Sequence, residues 1–342
     1  MAKQGRDRTE SQEHGGHTAG GPQTYQGLLA GRRALVTGAA GGIGSAVSRY
    51  VSAAGAQVAG VSRSAGKLEE LAASLPGPGG LEPVVLDLGE PGAPAACVAA
   101  AAEALGGIDI VVNNAGIASP AAVEKTDLEL WERHMHLNAA VPFLLTRAAL
   151  PHLRQSAAPE IVNMGSVVSH KGYTEQGAYA ASKHALFGLT KVLARELHEE
   201  GIRVHFVSPG GVATGMIENV RPDIDPEKLI RPEEIADVIL FLLTRRGEPA
   251  STRLPFAARQ ASRGSRGAAR ASVLQPGTRT GDHRPVNASE FRSDRSAPRR
   301  ASAPCGQPPY LGRAHARIGG IPLSRLAFRH FLLVFECRPH RV

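Results

Sequence analysis

The segment from Arg33 to Ala54 constrains the fold more than any other. Arg33-Ala34-Leu35-Val36-Thr37 is a short apolar run that stops at Gly38-Ala39-Ala40-Gly41-Gly42-Ile43-Gly44. After it Ala46, Val47, Tyr50, Val51 and Ala54 recur at helical spacing. Strand, glycine turn and helix in that order form a unit that can hold a dinucleotide. Glycines let the backbone approach a pyrophosphate, and the helix start offers unpaired N–H groups and the positive end of its dipole. A glycine turn can equally be only a turn. Here Gly38, Gly42 and Gly44 leave three residues and then one between them, unlike the common G-x-G-x-x-G spacing.

The chain beyond this unit keeps alternating. The strand Gln57–Ser62 runs into Arg63, with no acid at positions 61–64. At that point of a dinucleotide site a carboxylate would accept hydrogen bonds from the ribose 2′-hydroxyl, whereas an arginine pairs with a 2′-phosphate, so NADPH is expected ahead of NADH. A helix over 65–75, a Pro/Gly-rich turn at 76–80 and the strand Pro83–Leu86 follow. That strand leads to Asp87, placed either to meet an adenine edge or to cap the next helix, expected over 91–105. Ile108–Val112 is a near-continuous apolar strand, as in a parallel sheet covered on both faces, and it ends in Asn113-Asn114-Ala115-Gly116. A helical region over 127–155 carries Asn138, an unfavourable helix residue unless it has a structural or catalytic task. The remainder reads as a strand ending at Ser166, a helix from Gly177 to about Glu200, a strand Ile202–Val207, the segment Ser208–Thr214, and a helix from Pro232 to about Arg246. Strict alternation predicts one doubly wound parallel α/β domain of Rossmann type, with ligands at the carboxyl ends of its strands.

Chemistry is carried by Tyr179 and Lys183. On a helix they stand at i and i+4, side by side. A neighbouring cation favours the phenolate and is expected to lower the Tyr179 pKa towards that of a general acid/base working near neutrality. Ser166, at the end of the preceding strand, can hydrogen-bond the same reacting group. Tyr-x-x-x-Lys alone is a common accident, and only the surrounding pattern gives it weight. His134, His136, His152, His184, His198 and His205 show no paired ligand spacing with a carboxylate, so no metal site is expected.

Cys97, Cys305 and Cys337 form neither a disulfide framework nor a metal pattern, and suit a reducing compartment. With no bilayer-length apolar run and no signal-peptide core in the polar first residues, a cytoplasmic protein is expected. The formal net charge of +8 is unevenly spread. Residues 25–247 carry 19 Lys+Arg against 23 Asp+Glu, while residues 248–342 carry 17 Arg, no Lys and 5 acids. Residues 1–24, polar and Gly-rich, are expected to be disordered.

These motifs, from the glycine turn through Asp87, Asn113-Asn114-Ala115-Gly116, Asn138, Ser166, Tyr179 with Lys183, and Pro209-Gly210, resemble those of the short-chain dehydrogenase/reductase family. The resemblance spans about residues 30–247 and is strongest to its compact branch that includes the 3-oxoacyl-carrier-protein reductases. It implies an oxidoreductase moving a hydride between NADP(H), with NAD(H) second, and a small carbonyl or secondary alcohol. Tyr179 is then the acid/base. Lys183 holds the nicotinamide ribose, Ser166 binds the substrate oxygen, and Asn138 binds a water that relays the proton. Gly38, Gly42, Ile43 and Gly44 lie on the pyrophosphate, Arg63 on the 2′-phosphate, Asp87 on the adenine, Asn114 along the cleft, and Val212 and Thr214 beside the carboxamide. A homodimer or homotetramer is implied if the fold is intact.

The resemblance stops after Gly247, where relatives add a last strand. Here 58 of 95 residues are Ala, Arg, Pro, Gly or Ser, with apolar character returning only near Leu323–Phe335. The last strand is therefore expected to be missing or replaced, which leaves a sheet edge exposed. Assembly through the long helices at 127–155 and 177–200 would survive that loss. A disordered basic appendage that touches nucleic acid or another polyanion explains the tail, as does a reading-frame shift in a GC-rich gene. The alternative function that follows is a catalytically impaired NADP-binding or polyanion-binding module.

Overall fold

The structure is a computed structural model that describes residues 26–75, 79–220 and 224–245, together with the backbone of short strands at 317–318, 321–322 and 332–336. The chain divides into two units, one of residues 1–258 with 327–342 and one of residues 259–326. The expected disordered stretch 1–24 and most of the tail 248–342 lie outside the described residues.

Six parallel strands form the sheet of the larger unit. They are β1 (Arg33–Thr37), β2 (Gln57–Ser62), β3 (Leu81–Val85), β4 (Ile110–Asn113), β5 (Glu160–Met164) and β6 (Arg203–Pro209), in the order β3-β2-β1-β4-β5-β6. Leu35 pairs with Ala59 on one side and Val111 on the other, so β1 is central. The chain winds outward from β1 twice, in opposite directions, and the reversal between β1 and β4 opens a crevice at their carboxyl ends.

Both faces of the sheet are covered, as its unbroken apolar runs predicted. Ala34 and Val36 pack on one side with Val47 and Val51 of α1 (Gly42–Ala53) and with Ile235 and Ile239 of α8 (Pro232–Thr244). Leu35 points the other way, into Cys97 and Val98 of α3 (Ala93–Leu105) and Leu145 of α5 (Val141–Leu153). This two-residue alternation divides each strand's side chains between two cores. Beside α2 (Ala65–Ala73), β3 forms the outer edge and carries Pro83, which an edge strand tolerates because it needs no inward N–H there.

Between β4 and β5, α4 (Leu128–Met135) starts at Asp127, whose carboxylate accepts the Leu130 N–H at 2.8 Å. The helix expected over 127–155 is not continuous. A single π turn, His136–Ala140, separates α4 from α5 and bulges the backbone at Asn138. Such turns are rare, and they occur frequently at functional sites.

At the amino ends of the strands, two buried carboxylates are held by basic side chains. Glu160 of β5 is 0 % exposed, with Arg203 at 2.6 Å, His205 at 3.0 Å and Arg32 at 3.7 Å. Asp109 accepts from the Arg33 N–H and guanidinium at 2.9 Å each. Burial alone would raise the Asp109 pKa, but these hydrogen bonds, with one from Ser156, hold it below the usual carboxylate range.

In the smaller unit, β7 (Arg317–Ile318) and β8 (Ile321–Pro322) pair antiparallel. Within the larger unit, the sheet edge expected to stand bare is filled. The backbone of β9 (Leu332–Glu336) lies antiparallel along β6, with Phe335 opposite Phe206 and Leu332 opposite Pro209. The replacement comes from the one part of the tail where the sequence turned apolar again. Among the described residues, no helix is long and apolar enough to cross a membrane.

Candidate active site

A cleft of about 950 Å³ opens at the carboxyl ends of the strands. One end is built by the turn after β1. Gly38 sits at φ +66°, in the left-handed region, and passes against Asn114 and Ala115. A side chain at Gly42 would collide with Thr214, and one at Gly44 with the Gly38 carbonyl. Thr37 fastens this turn to β4: its hydroxyl donates to Val112 O at 3.1 Å and accepts from the N–H groups of Asn114 and Ala115 at 3.0 Å. The Asn114 amide donates to Thr37 O at 2.9 Å. No side chain caps α1, so its leading backbone amides at Gly42, Ile43 and Gly44 stay open beside the cleft. These features suit a pyrophosphate.

At the β2 and β3 ends, Arg63 and Asp87 line the same cleft and pair with each other at 3.5 Å, with the Arg63 side chain 78 % exposed. Asp87 also accepts the Gly89 N–H at 2.8 Å, so it caps a turn as well as facing the cleft. Val212 and Thr214 line the cleft between β6 and α7 (Gly215–Val220), and the Thr214 hydroxyl donates to Val212 O at 3.3 Å.

The other end holds Ser166, Tyr179 and Lys183. Ser166 follows β5 and starts a short 3-10 turn, Val167–Ser169, by accepting the Val168 N–H at 3.4 Å. Gly165 before it has no room for a side chain, because Phe206 fills that space. Tyr179 and Lys183 stand one turn apart on α6 (Gly177–Glu196), with the Lys183 Nζ 6.0 Å from the centre of the phenol ring and donating to Met164 O at 2.8 Å. In the protein alone, burial raises the Tyr179 pKa, against a hydrogen bond with Ser166 that lowers it. The lowering expected from Lys183 is thus not found here. Burial takes Lys183 itself down to about 8, and one N–H of its ammonium is directed to the Met164 carbonyl.

Asn138 does not line the cleft. It is buried behind it, donating to Ile117 O at 2.9 Å and Ser182 Oγ at 3.0 Å while accepting the Ile117 N–H at 2.9 Å. It therefore fixes the Gly116–Ile117 wall against α6. A Cβ at Gly116 would lie 2.7 Å from the Asn138 Oδ1 and 3.6 Å from the Lys183 Nζ, so the glycine keeps the space between those two atoms clear.

Sequence reasoning missed two contributors. Ser182 bridges Asn138 to the Tyr179 carbonyl, which its hydroxyl meets at 2.8 Å. His134 accepts the Ser119 N–H at its Nε2 at 3.1 Å and donates from its Nδ1 to Leu130 O at 2.8 Å, edge-on to the Tyr179 ring. Helical spacing, with His134 four residues before Asn138 and Ser182 three after Tyr179, was the only signal for either. Among the described residues, no group of three or more His, Cys, Asp or Glu side chains could hold a metal.

Comparison with known proteins agrees with this arrangement. A family model described as short chain dehydrogenase matches residues 32–225. The 3-oxoacyl-[acyl-carrier-protein] reductase of Thermotoga maritima is 35 % identical over 223 residues, which are 63 % of this chain and 91 % of that protein. Carbonyl reductase [NADPH] 2 of Sus scrofa is 35 % identical over 239 residues, 65 % of this chain and 93 % of that one. Among solved structures, a Shigella flexneri short chain dehydrogenase complexed with NADP superposes with a TM-score of 0.60 at 32 % identity, over 64 % of this chain and 93 % of its own. A six-stranded parallel sheet, a glycine turn and the Ser166, Tyr179 and Lys183 cluster thus meet in one chain, which belongs to the short-chain dehydrogenase family of oxidoreductases acting on alcohol and carbonyl groups.

Proposed function

We propose that this protein reduces a small carbonyl compound, or oxidises the matching secondary alcohol, with NADP(H) as hydride carrier and Tyr179 as acid/base. The observation that carries the reading is that one cleft joins the glycine turn and Arg63 to Ser166, Tyr179 and Lys183. The cofactor, when bound, supplies or accepts the hydride. Gly38, Gly42, Ile43 and Gly44 would hold its pyrophosphate and Arg63 its 2′-phosphate, exchanging the long contact to Asp87 for a charge-assisted bond to phosphate. Asp87 would meet the adenine, Asn114 the cleft floor, and Val212 and Thr214 the carboxamide.

The raised Tyr179 pKa keeps the phenol protonated at neutral pH, the form that donates a proton to a carbonyl oxygen. Ser166 adds a hydrogen bond to that oxygen and stabilises the charge that develops there. Lys183 would turn from Met164 O towards the ribose hydroxyls, and its charge beside the phenol favours the phenolate that oxidation requires. The cleared space between Asn138 and Lys183 suits a water that returns protons to the site. The protein would work in the cytoplasm as a homodimer or homotetramer, joined through α5 and α6, where Phe143 and Val192 are 43 % and 49 % exposed.

Binding of NADPH and NADH to the purified chain, read by nicotinamide fluorescence with Arg63→Ala alongside, tests the cofactor assignment. The expected result is tighter NADPH binding that Arg63→Ala weakens by about 10- to 100-fold. Equal affinities for the two, unchanged in the variant, would remove the phosphate role of Arg63.

A further inference from the structure

Gln176 has a place in the cleft that the account so far does not use. It is the residue that opens α6, three before Tyr179, and both side chains line the same cleft. It lines the cleft, yet its Oε1 is enclosed without a hydrogen-bond partner. Its backbone is firmly held: the carbonyl accepts from Ala180 N at 2.7 Å, and the neighbouring Glu175 carbonyl accepts from Ala121 N at 2.8 Å. Glu175 is also the only described non-glycine residue with a left-handed backbone, at φ +61°. A strained turn of this kind persists where surrounding structure enforces it, and here it delivers the Gln176 amide to the mouth of the site.

The charges of the cleft narrow what that amide meets. Among its described lining residues, the charged side chains are Arg63, Lys67 and Asp87 at the far end, and Lys183. Around Ser166 and Tyr179 the rest of the wall carries no charge: it is mainly apolar, with Ala118, Val168, Met216, Ile217 and Val220, and the half-exposed Tyr173 adds a phenol. A substrate carboxylate would find no dedicated cation there. A plain ketone would leave the amide unpaired, at the cost of an unsatisfied polar group. A neutral hydroxyl both donates and accepts, so it satisfies either edge of the amide, and a half-turn of the terminal torsion presents the oxygen.

We propose that Gln176 is a specificity-determining residue that binds a substrate hydroxyl one or two carbons from the reacting carbonyl, which makes neutral hydroxy ketones and the corresponding diols the substrate class. This rests on the reductase reading above. In the reaction the carbonyl carbon gains the hydride of NADPH, the C=O π pair moves onto oxygen, that oxygen takes the Tyr179 proton, and NADP is left oxidised. The hydroxyl held by Gln176 is unchanged.

The test measures NADPH-dependent kcat/KM of the full chain for 1-hydroxy-2-butanone, for 3-pentanone, in which a methyl replaces the hydroxyl, and for 2-oxobutanoate, in which a carboxylate replaces the hydroxymethyl group. We expect the hydroxy ketone to be preferred by about 30-fold or more over each, and Gln176→Leu to reduce that ratio to within about threefold. Gln176→Glu, which keeps the length and an acceptor oxygen, should retain most of the preference over 3-pentanone and shows that loss in the leucine variant is not misfolding. Equal turnover of all three by the unaltered protein, or a preference that survives Gln176→Leu, overturns the inference and leaves the reductase reading standing. Turnover of none of them by protein that binds NADPH overturns both.

Discussion

The two ends of the same sheet are built on opposite rules. At the amino ends, two buried carboxylates meet their partners at close range: Glu160 with Arg203, His205 and Arg32, and Asp109 with Arg33. At the carboxyl ends the backbone is kept bare by Gly38, Gly42 and Gly44, a phenol and an ammonium are held in a shared apolar surround, and the Gln176 oxygen has no partner. Ion pairing around Glu160 and Asp109 fixes the strands at one end, although Glu160 Oε1 and His205 Nδ1 form no hydrogen bond there. Incomplete pairing at the other leaves hydrogen-bonding capacity for a ligand. The same β5 and β6 serve both, so stability and reactivity are separated along the strand rather than between domains.

Substitutions at each end should therefore move different observables. Tyr179→Phe removes the proton donor and keeps the ring, so turnover should fall by about a thousandfold while thermal unfolding stays nearly unchanged. Steady-state kinetics beside a melting curve reads both, and a large loss of stability would mean that the phenol also holds the fold. Glu160→Leu is the counterpart at the other end. It strands Arg203 and His205 beside a buried apolar group and should cost about 3–5 kcal/mol in urea unfolding, with NADPH affinity of the folded protein preserved. Gly42→Val forces Thr214 away from the glycine turn, and we expect about tenfold weaker NADPH binding by titration with little change in the unfolding midpoint.

The smallest effect concerns a carboxylate that has neither arrangement. Burial, and then Glu234, push Asp237 in α8 up to about 6, against a weaker pull from Arg231. Its folded form keeps a proton that the unfolded form has already lost between about pH 4 and 6, so its contribution to stability falls as pH rises through that window. Asp237→Asn should remove this slope and add about 1 kcal/mol at pH 7.5, after allowance for partial exposure. Unfolding at pH 4.5 and 7.5 measures the difference.

The carboxyl end was legible in sequence wherever the backbone or a helical repeat imposed the pattern. Gly38 is required by a left-handed turn, and Tyr179 and Lys183 by one turn of α6. What escaped depends on contacts between distant segments. The Glu160 cluster draws on positions 32, 160, 203 and 205, whose spacing carries no local signal. The π turn reads as ordinary helix, because its extra residue alters the backbone without breaking the apolar period. The direction of the Tyr179 shift was misread because a neighbouring cation is visible in sequence, whereas desolvation is set by elements brought in from elsewhere. In β9 the apolar run was visible, but nothing local named β6 as its partner.

That last pairing also sets an order of events in folding. Val207 lies opposite Val334, so the loop that closes this edge is far longer than the crossovers joining β1 to β6. Closing it costs more chain entropy than any parallel step and waits until residues 332–336 have been synthesised. Until then β6 presents an open row of N–H and C=O groups to any passing strand. The strand that leads into Gly210–Thr214, and so into the cleft wall, is the last of the sheet to be sealed, and the nascent protein is most prone to self-association during that interval.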